Sequence, residues 1–196
     1  MDKYLVLASS SPRRIELLKK YVENLIIIKP DVEEIKLDDP YKTVYVNSRN
    51  KVENVVDKAP KNSIVIGVDT IVYLPGYGVM GKPSDFENVF EYLSRLSDKI
   101  HLVISGVYIL DKTTGNNHYF HVTSYVKFSK LSREDIEWYI STREPYGKAG
   151  GYAIQGYAGV FVEWVIGDFY NVVGLPLNSI WRVLKSVFGF NLIRKQ

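Results

Sequence analysis

Asp69 stands inside the run "SIVIGVDTIVYL", among the residue types most often buried, and a carboxylate in such company requires a cation, a donor or a metal. Held in a low dielectric beside cations, it serves as general base or divalent-metal ligand; the plain alternative is a cap on a neighbouring strand end. Arg13 and Arg14 follow Ser9, Ser10, Ser11 and Pro12 at the start of a helical pattern. About half a positive charge and up to four unpaired N–H groups already sit at a helix start, so a cation there costs roughly 0.3–1 kcal/mol unless an anion joins it. With the serines adding hydroxyl and N–H donors, this is the makeup of a phosphate cradle. The alternative leaves both arginines in solvent and the serines as ordinary loop residues.

Three lysines occupy similarly unusual places. Lys51, three residues after Ser48 and four before Val55, lies at the edge of an apolar helical stripe, and its amine snorkels outward. Lys82 in "MGKPSDF" and Lys148 in "REPYGKAGGYAIQG" lie in glycine-flanked turns where backbone approaches a ligand closely. Taken singly, each also reads as a solvated surface lysine. Gln155 sits in the apolar "YAIQGYAGVF" and reads as buried, bonded across a tight turn or to a base edge. Metal signatures are poorer: His118 and His121, three apart on a strand, face opposite ways. HExxH, GxxxxGK[ST] and GxGxxG are absent, and no Ser-His pairing near "GVDT" supports a serine hydrolase.

The elements that must position these residues follow from periodicity. "YLVLA" is a short buried strand, and Ile15, Leu18, Val22 and Leu25 mark a helix from Pro12, capped by Ser11. "LIIIKP" is a strand; Asp39 and Pro40 open a second helix with Tyr41, Val44, Tyr45, Ser48, Val52, Val55, Val56 and Ala59 on its inner face. "SIVIGVDTIVYL" is a central strand, and Ser84 with Glu87 has capping-box spacing ahead of a third helix. "HLVISGVYIL" and "YFHVTSYVKF" flank "DKTTGNN" as a hairpin, "SREDIEWYIST" is a fourth helix, "GVFVEWVIGDFYNVVG" reads as a second hairpin, and "PLNSIWRVLKSVFG" is a last helix closed by Gly189. Helices alternating with strands, plus hairpins, give an α/β domain around a mixed sheet.

With 196 residues, 46% of them apolar, the chain buries one sizeable core, so a single domain over 1–196 is expected. The absence of cysteine excludes disulfides, zinc thiolates and thiol nucleophiles, and agrees with a cytosol. No apolar run reaches the roughly 18 residues of a membrane span, so a soluble, cytoplasmic protein is expected. A net charge of +3, spread along the chain, permits an anionic ligand, while the fifteen tyrosines fall in strand and helix patterns rather than a nucleic-acid module.

"LASSSPRRIELL", "DVEEI", "SRNKV", "GVDTIV", "GKPSD", "REPYGKAGGYAIQG" and "NVVGLPL" occur in the order and approximate spacing of the Maf family of nucleoside triphosphate pyrophosphatases, from the first strand to about residue 181. The resemblance implies a mixed twisted sheet flanked by helices in two lobes around a deep cleft, an architecture shared with inosine triphosphate pyrophosphatases, and a homodimer. It implies cleavage of a nucleoside triphosphate to monophosphate and pyrophosphate with Mg²⁺ or Mn²⁺, and Asp69 followed by Thr70 resembles the dTTP and UTP branch. By the same resemblance Asp69 is the proton acceptor and a metal ligand with Glu34, with Glu33 less favoured. Arg13, Thr70 and Gln155 match base-selecting positions, and Ser9, Arg14, Lys51, Lys82 and Lys148 match the groups that hold the triphosphate. The chain departs from the pattern at "LSDKIHLV" and at Gly147, where relatives have Asp before "KAG". Alternatives are a pyrophosphatase of purine-analogue triphosphates (ITP, XTP) and a non-catalytic nucleotide-binding regulator of division.

Overall fold

The computed structural model describes residues 3–193. Its sheet has seven strands in the order β2-β1-β3-β5-β6-β7, with β4 added to the far end of β3. β1 (Tyr4–Ala8) runs parallel to β2 (Ile26–Ile28) and β3 (Ser63–Leu74), while β4 (Gly78–Met80), β5 (Ile100–Asp111), β6 (Asn117–Phe128) and β7 (Val162–Ile166) pair antiparallel. The parallel pair needs a crossover, which α1 (Pro12–Lys19) supplies.

Local chemistry sets the helix starts, sometimes a residue away from expectation. α2 (Pro40–Val55) begins at Asp39, whose carboxylate accepts from the Tyr41 and Lys42 N–H groups. α3 (Phe86–Leu96) is capped by Asp85, which accepts from Asn88 N–H, so the Ser84–Glu87 box does not form. α4 (Arg133–Ser141) has a complete box between Ser132 and Asp135. Ser11 gives α1 no side-chain cap; its own N–H donates to Ser9 Oγ at 3.1 Å.

The second expected hairpin is half wrong. Val162–Ile166 pairs with β6, but Gly167 then turns the chain at φ 115° and Asp168 caps a short helix, α5 (Phe169–Val173), closed by Gly174 at φ 110°. The β-branched and aromatic "FYNVV" suits a strand locally, and the caps at both ends override that preference. α6 (Leu177–Phe188) ends at Gly189 (φ 66°).

Two apolar cores share one face of the sheet. One gathers Leu5, Leu18, Ile66, Val68, Val107 and Leu184; the other gathers Val72, Leu93, Val103, Phe128, Tyr139 and Tyr152. Along β3 and β5 the seam between them falls on Thr70 and Ser105, whose hydroxyls lie 2.8 Å apart. On the opposite face α2 lies over Gly67 and Gly106, where a Cβ would meet the Ser48 carbonyl at 2.3 Å and the Val44 carbonyl at 2.6 Å respectively. That seating buries Val44, Val52 and Val55 completely, roughly 1.5–3 kcal/mol apiece. Tyr41, expected on the inner face, is 40% exposed at the first turn.

The strand registers leave a gap. β1 accompanies β3 as far as Gly67, and β4 joins it from Val72, so residues 68–71 have no neighbouring strand on that side. The side chains of Asp69 and Thr70, alternating across the sheet, reach the gap from its two faces. No helix among the described residues is long and apolar enough to cross a membrane.

Candidate active site

A cleft of about 810 Å³ opens at this gap. Its walls come from the 9–14 turn, the 29–34 segment, β3, the Lys82 turn, residues 146–152 and residues 172–174. Of the residues singled out by sequence, Ser9, Arg13, Arg14, Glu34, Lys51, Asp69, Thr70, Lys82 and Lys148 all line it, drawn from positions up to 139 residues apart in the chain. Gln155 does not. It is exposed, outside the cleft wall, contrary to the expectation of burial. Its apolar neighbours Tyr152, Ala153, Ala158 and Phe161 supply the buried side of that segment instead.

Asp69 is 3% exposed, and both its oxygens are engaged. Oδ1 accepts from Lys51 Nζ at 2.6 Å, and Oδ2 accepts from Asn47 Nδ2 at 3.0 Å. Lys51, expected at the edge of its stripe, is 5% exposed because α2 sits so close on the glycines. Its ammonium donates to Glu34 Oε1 at 2.8 Å and to the Val68 carbonyl at 3.3 Å as well as to Asp69. Three donors thus meet three protein acceptors. Lys82 Nζ closes the chain on Glu34 Oε2 at 2.6 Å. Burial alone would raise the Glu34 carboxyl, but Lys51 and Lys82 together bring it down to about 2.

Arg14 and Arg13, adjacent in sequence, have different surroundings. Arg14 donates to the Gly174 carbonyl (2.7 Å), the Val68 carbonyl (2.9 Å) and Thr70 Oγ1 (2.9 Å), so its fork clamps the residues on either side of Asp69 to the end of α5. Burial lowers its basicity and the nearby Asp69 and Glu34 charges restore part of it. Arg13, half-buried, makes no hydrogen bond or ion pair among the described residues; burial lowers its basicity, offset in part by Tyr139 and Glu144. Lys148 reaches only the Glu144 carbonyl, at 2.5 Å, and burial together with the neighbouring Arg13 lowers its basicity. A sulfate-sized or larger anion entering the cleft therefore meets Arg13 and Lys148 as cations without a carboxylate in contact.

The loops holding the lysines are tied by main chain. Gly150, at φ 68°, donates its N–H to the Gly81 carbonyl at 2.9 Å, and a Cβ at that position would strike Val72 at 2.6 Å. The Glu144 carboxylate takes the Tyr139 hydroxyl (2.9 Å) and the Tyr157 N–H (3.1 Å), with Gly156 so close that a Cβ would lie 1.9 Å from Oε2. These ties fix the wall that carries Lys148.

Glu34 and Asp69 are the carboxylates of the cleft closest to this charge network, and no cluster of three or more His, Cys, Asp or Glu that could cage a metal occurs among the described residues. Each of their four oxygens accepts one N–H, leaving lone pairs on a hard, anionic donor set. Two carboxylates fit an ion of the Mg²⁺ type that completes its shell with water and substrate phosphates, not one held by protein alone. Glu33 is exposed and absent from the cleft wall.

Sequence reasoning missed Asn47, 2% exposed on α2. Its signal was available: a polar amide at position 47 falls on the same stripe as Val44, Ser48, Lys51 and Val55.

Comparison with known proteins finds similar chains. A family model described as Maf-like protein matches residues 4–187. A protein of Staphylothermus marinus named dTTP/UTP pyrophosphatase is 45% identical over 193 residues, spanning 98% of this chain and 93% of that one. One of the same name from Clostridium novyi is 44% identical over 192 residues, spanning 96% and 99%. Among solved structures, the Staphylococcus aureus Ham1 protein aligns over 65% of this chain and 72% of its own with 18% identity and a TM-score of 0.46.

Proposed function

Since the chain belongs to the Maf-like protein family, we propose that it hydrolyses dTTP and UTP to the nucleoside monophosphate and pyrophosphate. The observation that carries the reading is the buried Asp69 carboxylate, fixed by Lys51 and Asn47 at the floor of a cleft whose wall presents Arg13 and Lys148 unpaired with any carboxylate. The relatives at 40–45% identity named dTTP/UTP pyrophosphatase supply the substrate class.

Asp69 accepts a proton from a water as that water attacks the α-phosphorus, and pyrophosphate leaves. Negative charge then spreads over bridging and non-bridging oxygens, and fixed cations stabilise it better than reorganising water does. Arg13 grips bidentately, while Lys148 and Lys82 act as point charges; Lys82 exchanges part of its contact with Glu34 for the phosphates. Ser9, with its hydroxyl already accepting from Ser11 N–H, shapes the turn that offers backbone donors. Thr70, which lines the cleft, takes the base contact; Arg13, which the resemblance matches to a base-selecting position, is assigned to the phosphates instead because it is a cation with no carboxylate in contact, and Gln155, outside the wall, is not assigned a base contact by the geometry. Glu34 and Asp69 would hold a divalent ion, which when bound supplies charge neutralisation on the phosphates. The reading takes the enzyme to be a homodimer, as the family resemblance implies, and cytoplasmic, as expected from the sequence alone.

The test is product analysis on dTTP, UTP, CTP, ITP and XTP in ¹⁸O-labelled water. Turnover of dTTP and UTP with label in the monophosphate is expected, and Asp69→Asn should lower kcat about 10²–10⁴-fold. Turnover restricted to ITP and XTP overturns the base assignment, and an Asn variant at the wild-type rate removes Asp69 from the base role. Tight dTTP binding without pyrophosphate release supports a non-catalytic binding protein.

A further inference from the structure

Glu34 lies on a segment, residues 31–37, that belongs to neither helix nor sheet. Backbone outside regular structure needs other partners for its N–H and C=O groups. Here side chains of α2 supply them. Asn54 accepts from Asp31 N–H at 2.9 Å and donates to the Asp31 carbonyl at 3.2 Å. Asn47 accepts from Ile35 N–H at 2.9 Å and donates to the Ile35 carbonyl at 2.9 Å. Thr43 Oγ1 accepts from Leu37 N–H at 3.0 Å. The helix thus takes the part of a neighbouring strand, with each amide replacing one peptide group.

Asn47 differs from Asn54 in one respect. Its second N–H, not needed by Ile35, goes to Asp69 Oδ2 at 3.0 Å. Both N–H groups and one lone pair of a single buried amide are therefore divided between the carboxylate on β3 and the residue next to Glu34. We propose that Asn47 is a positioning residue of this active site: one amide sets the orientation of Asp69 and, through Ile35, holds the Glu34 segment in fixed register with it. The assignment rests on the pyrophosphatase reading above. It follows from geometry, since Asp69 Oδ1 is turned toward Lys51 and, among the described residues, only Asn47 fixes the other oxygen. A displacement of about 1 Å in a catalytic group costs on the order of 10²-fold in rate.

The experiment compares Asn47→Ala with Asn54→Ala, whose side chain touches neither acid, and reads two quantities. The first is steady-state turnover of dTTP. Asn47→Ala should lower kcat about 10–100-fold with KM within about threefold of wild type, because orientation of the base is lost and the triphosphate cations are untouched; Asn54→Ala should leave both within about threefold. The second is amide hydrogen exchange at Ile35, which should be slow in wild type and in Asn54→Ala and at least about tenfold faster in Asn47→Ala. Unchanged kcat in a folded Asn47→Ala, or a rise in KM with kcat preserved, overturns the proposal. Should Asn47→Ala not fold, Asn47→Ser and wild-type exchange decide, and a fast-exchanging Ile35 amide in wild type overturns it. A wild type that releases no pyrophosphate from any triphosphate would remove the functional reading while leaving the Asn47–Ile35 tie to be judged by exchange alone.

Discussion

On the α2 side of the cleft, Lys51 contacts Asp69, Glu34 and the Val68 carbonyl, and Lys82 contacts the other oxygen of Glu34. Across from it, Arg13 has no hydrogen-bonding partner among the described residues and Lys148 has one main-chain carbonyl. Both sides are rich in cations, yet they do different work. Charges closed on one another fix geometry, most strongly at the buried Lys51–Asp69 pair, because removing either member leaves the other without its counter-charge. Half-buried cations without a carboxylate in contact hold their attraction in reserve for an anionic guest. Counting basic residues in the cleft would treat the two sides alike; hydrogen-bond bookkeeping separates them.

The largest effect should come from cutting the closed chain. Lys51→Met keeps the volume but strips the buried Asp69 of its counter-charge and leaves Glu34 on Lys82 alone, and unfolding experiments should show a loss of about 3–5 kcal/mol, a fall in Tm on the order of 10 °C. If Tm holds and KM rises instead, Lys51 belongs with the ligand-binding cations and the contrast between the sides breaks. The adjacent arginines sharpen it. Arg14→Lys keeps the charge and loses the fork, so thermal unfolding should reveal a loss of roughly 1–3 kcal/mol. Arg13→Ala should barely move Tm yet raise KM for dTTP about 10–100-fold, the worth of a charge-assisted contact. Equal Tm changes in the two would erase the distinction.

A smaller effect concerns the support beneath the Lys148 wall. His101, fully buried, shares a hydrogen bond of 2.8 Å with the Tyr152 hydroxyl, and burial pushes its imidazole down to about 3 from an ordinary 6.5. The native ring stays neutral while the unfolded chain takes up a proton below pH 6.5, so stability falls as pH drops from about 6.5, before carboxylates begin to titrate near 4.5. Denaturant midpoints measured at pH 7 and pH 5 should differ in wild type, and the difference should shrink in His101→Gln.

Much of this was legible in the sequence where a residue contradicts its surroundings. A carboxylate in "IVIGVDTIVYL" and two arginines after a proline at a helix start each break a local rule, and both led into the cleft. Which arginine is closed and which open was not legible, since the carbonyl of Gly174 lies 160 residues from Arg14. Gln155 misled because apolar neighbours signal a buried segment without saying which side chain turns out of it. "FYNVV" misled because strand preference was read ahead of the cap at Asp168. Asn47 obeys no motif; it becomes meaningful only once Gly67 and Gly106 let α2 descend onto the sheet.

The bond from Gly150 to Gly81 carries a consequence for divergence. It joins the two lysine loops through peptide groups alone, so side-chain replacements along either loop leave the joint intact, except at Gly150, where a Cβ would strike Val72. The tip of the β3–β4 turn, with Gly76 and Gly78 at φ 82° and 113° and open space around both, lies beyond that joint. Insertions and deletions among homologous chains should therefore accumulate at the tip, where length is free to drift, and stop short of residue 81.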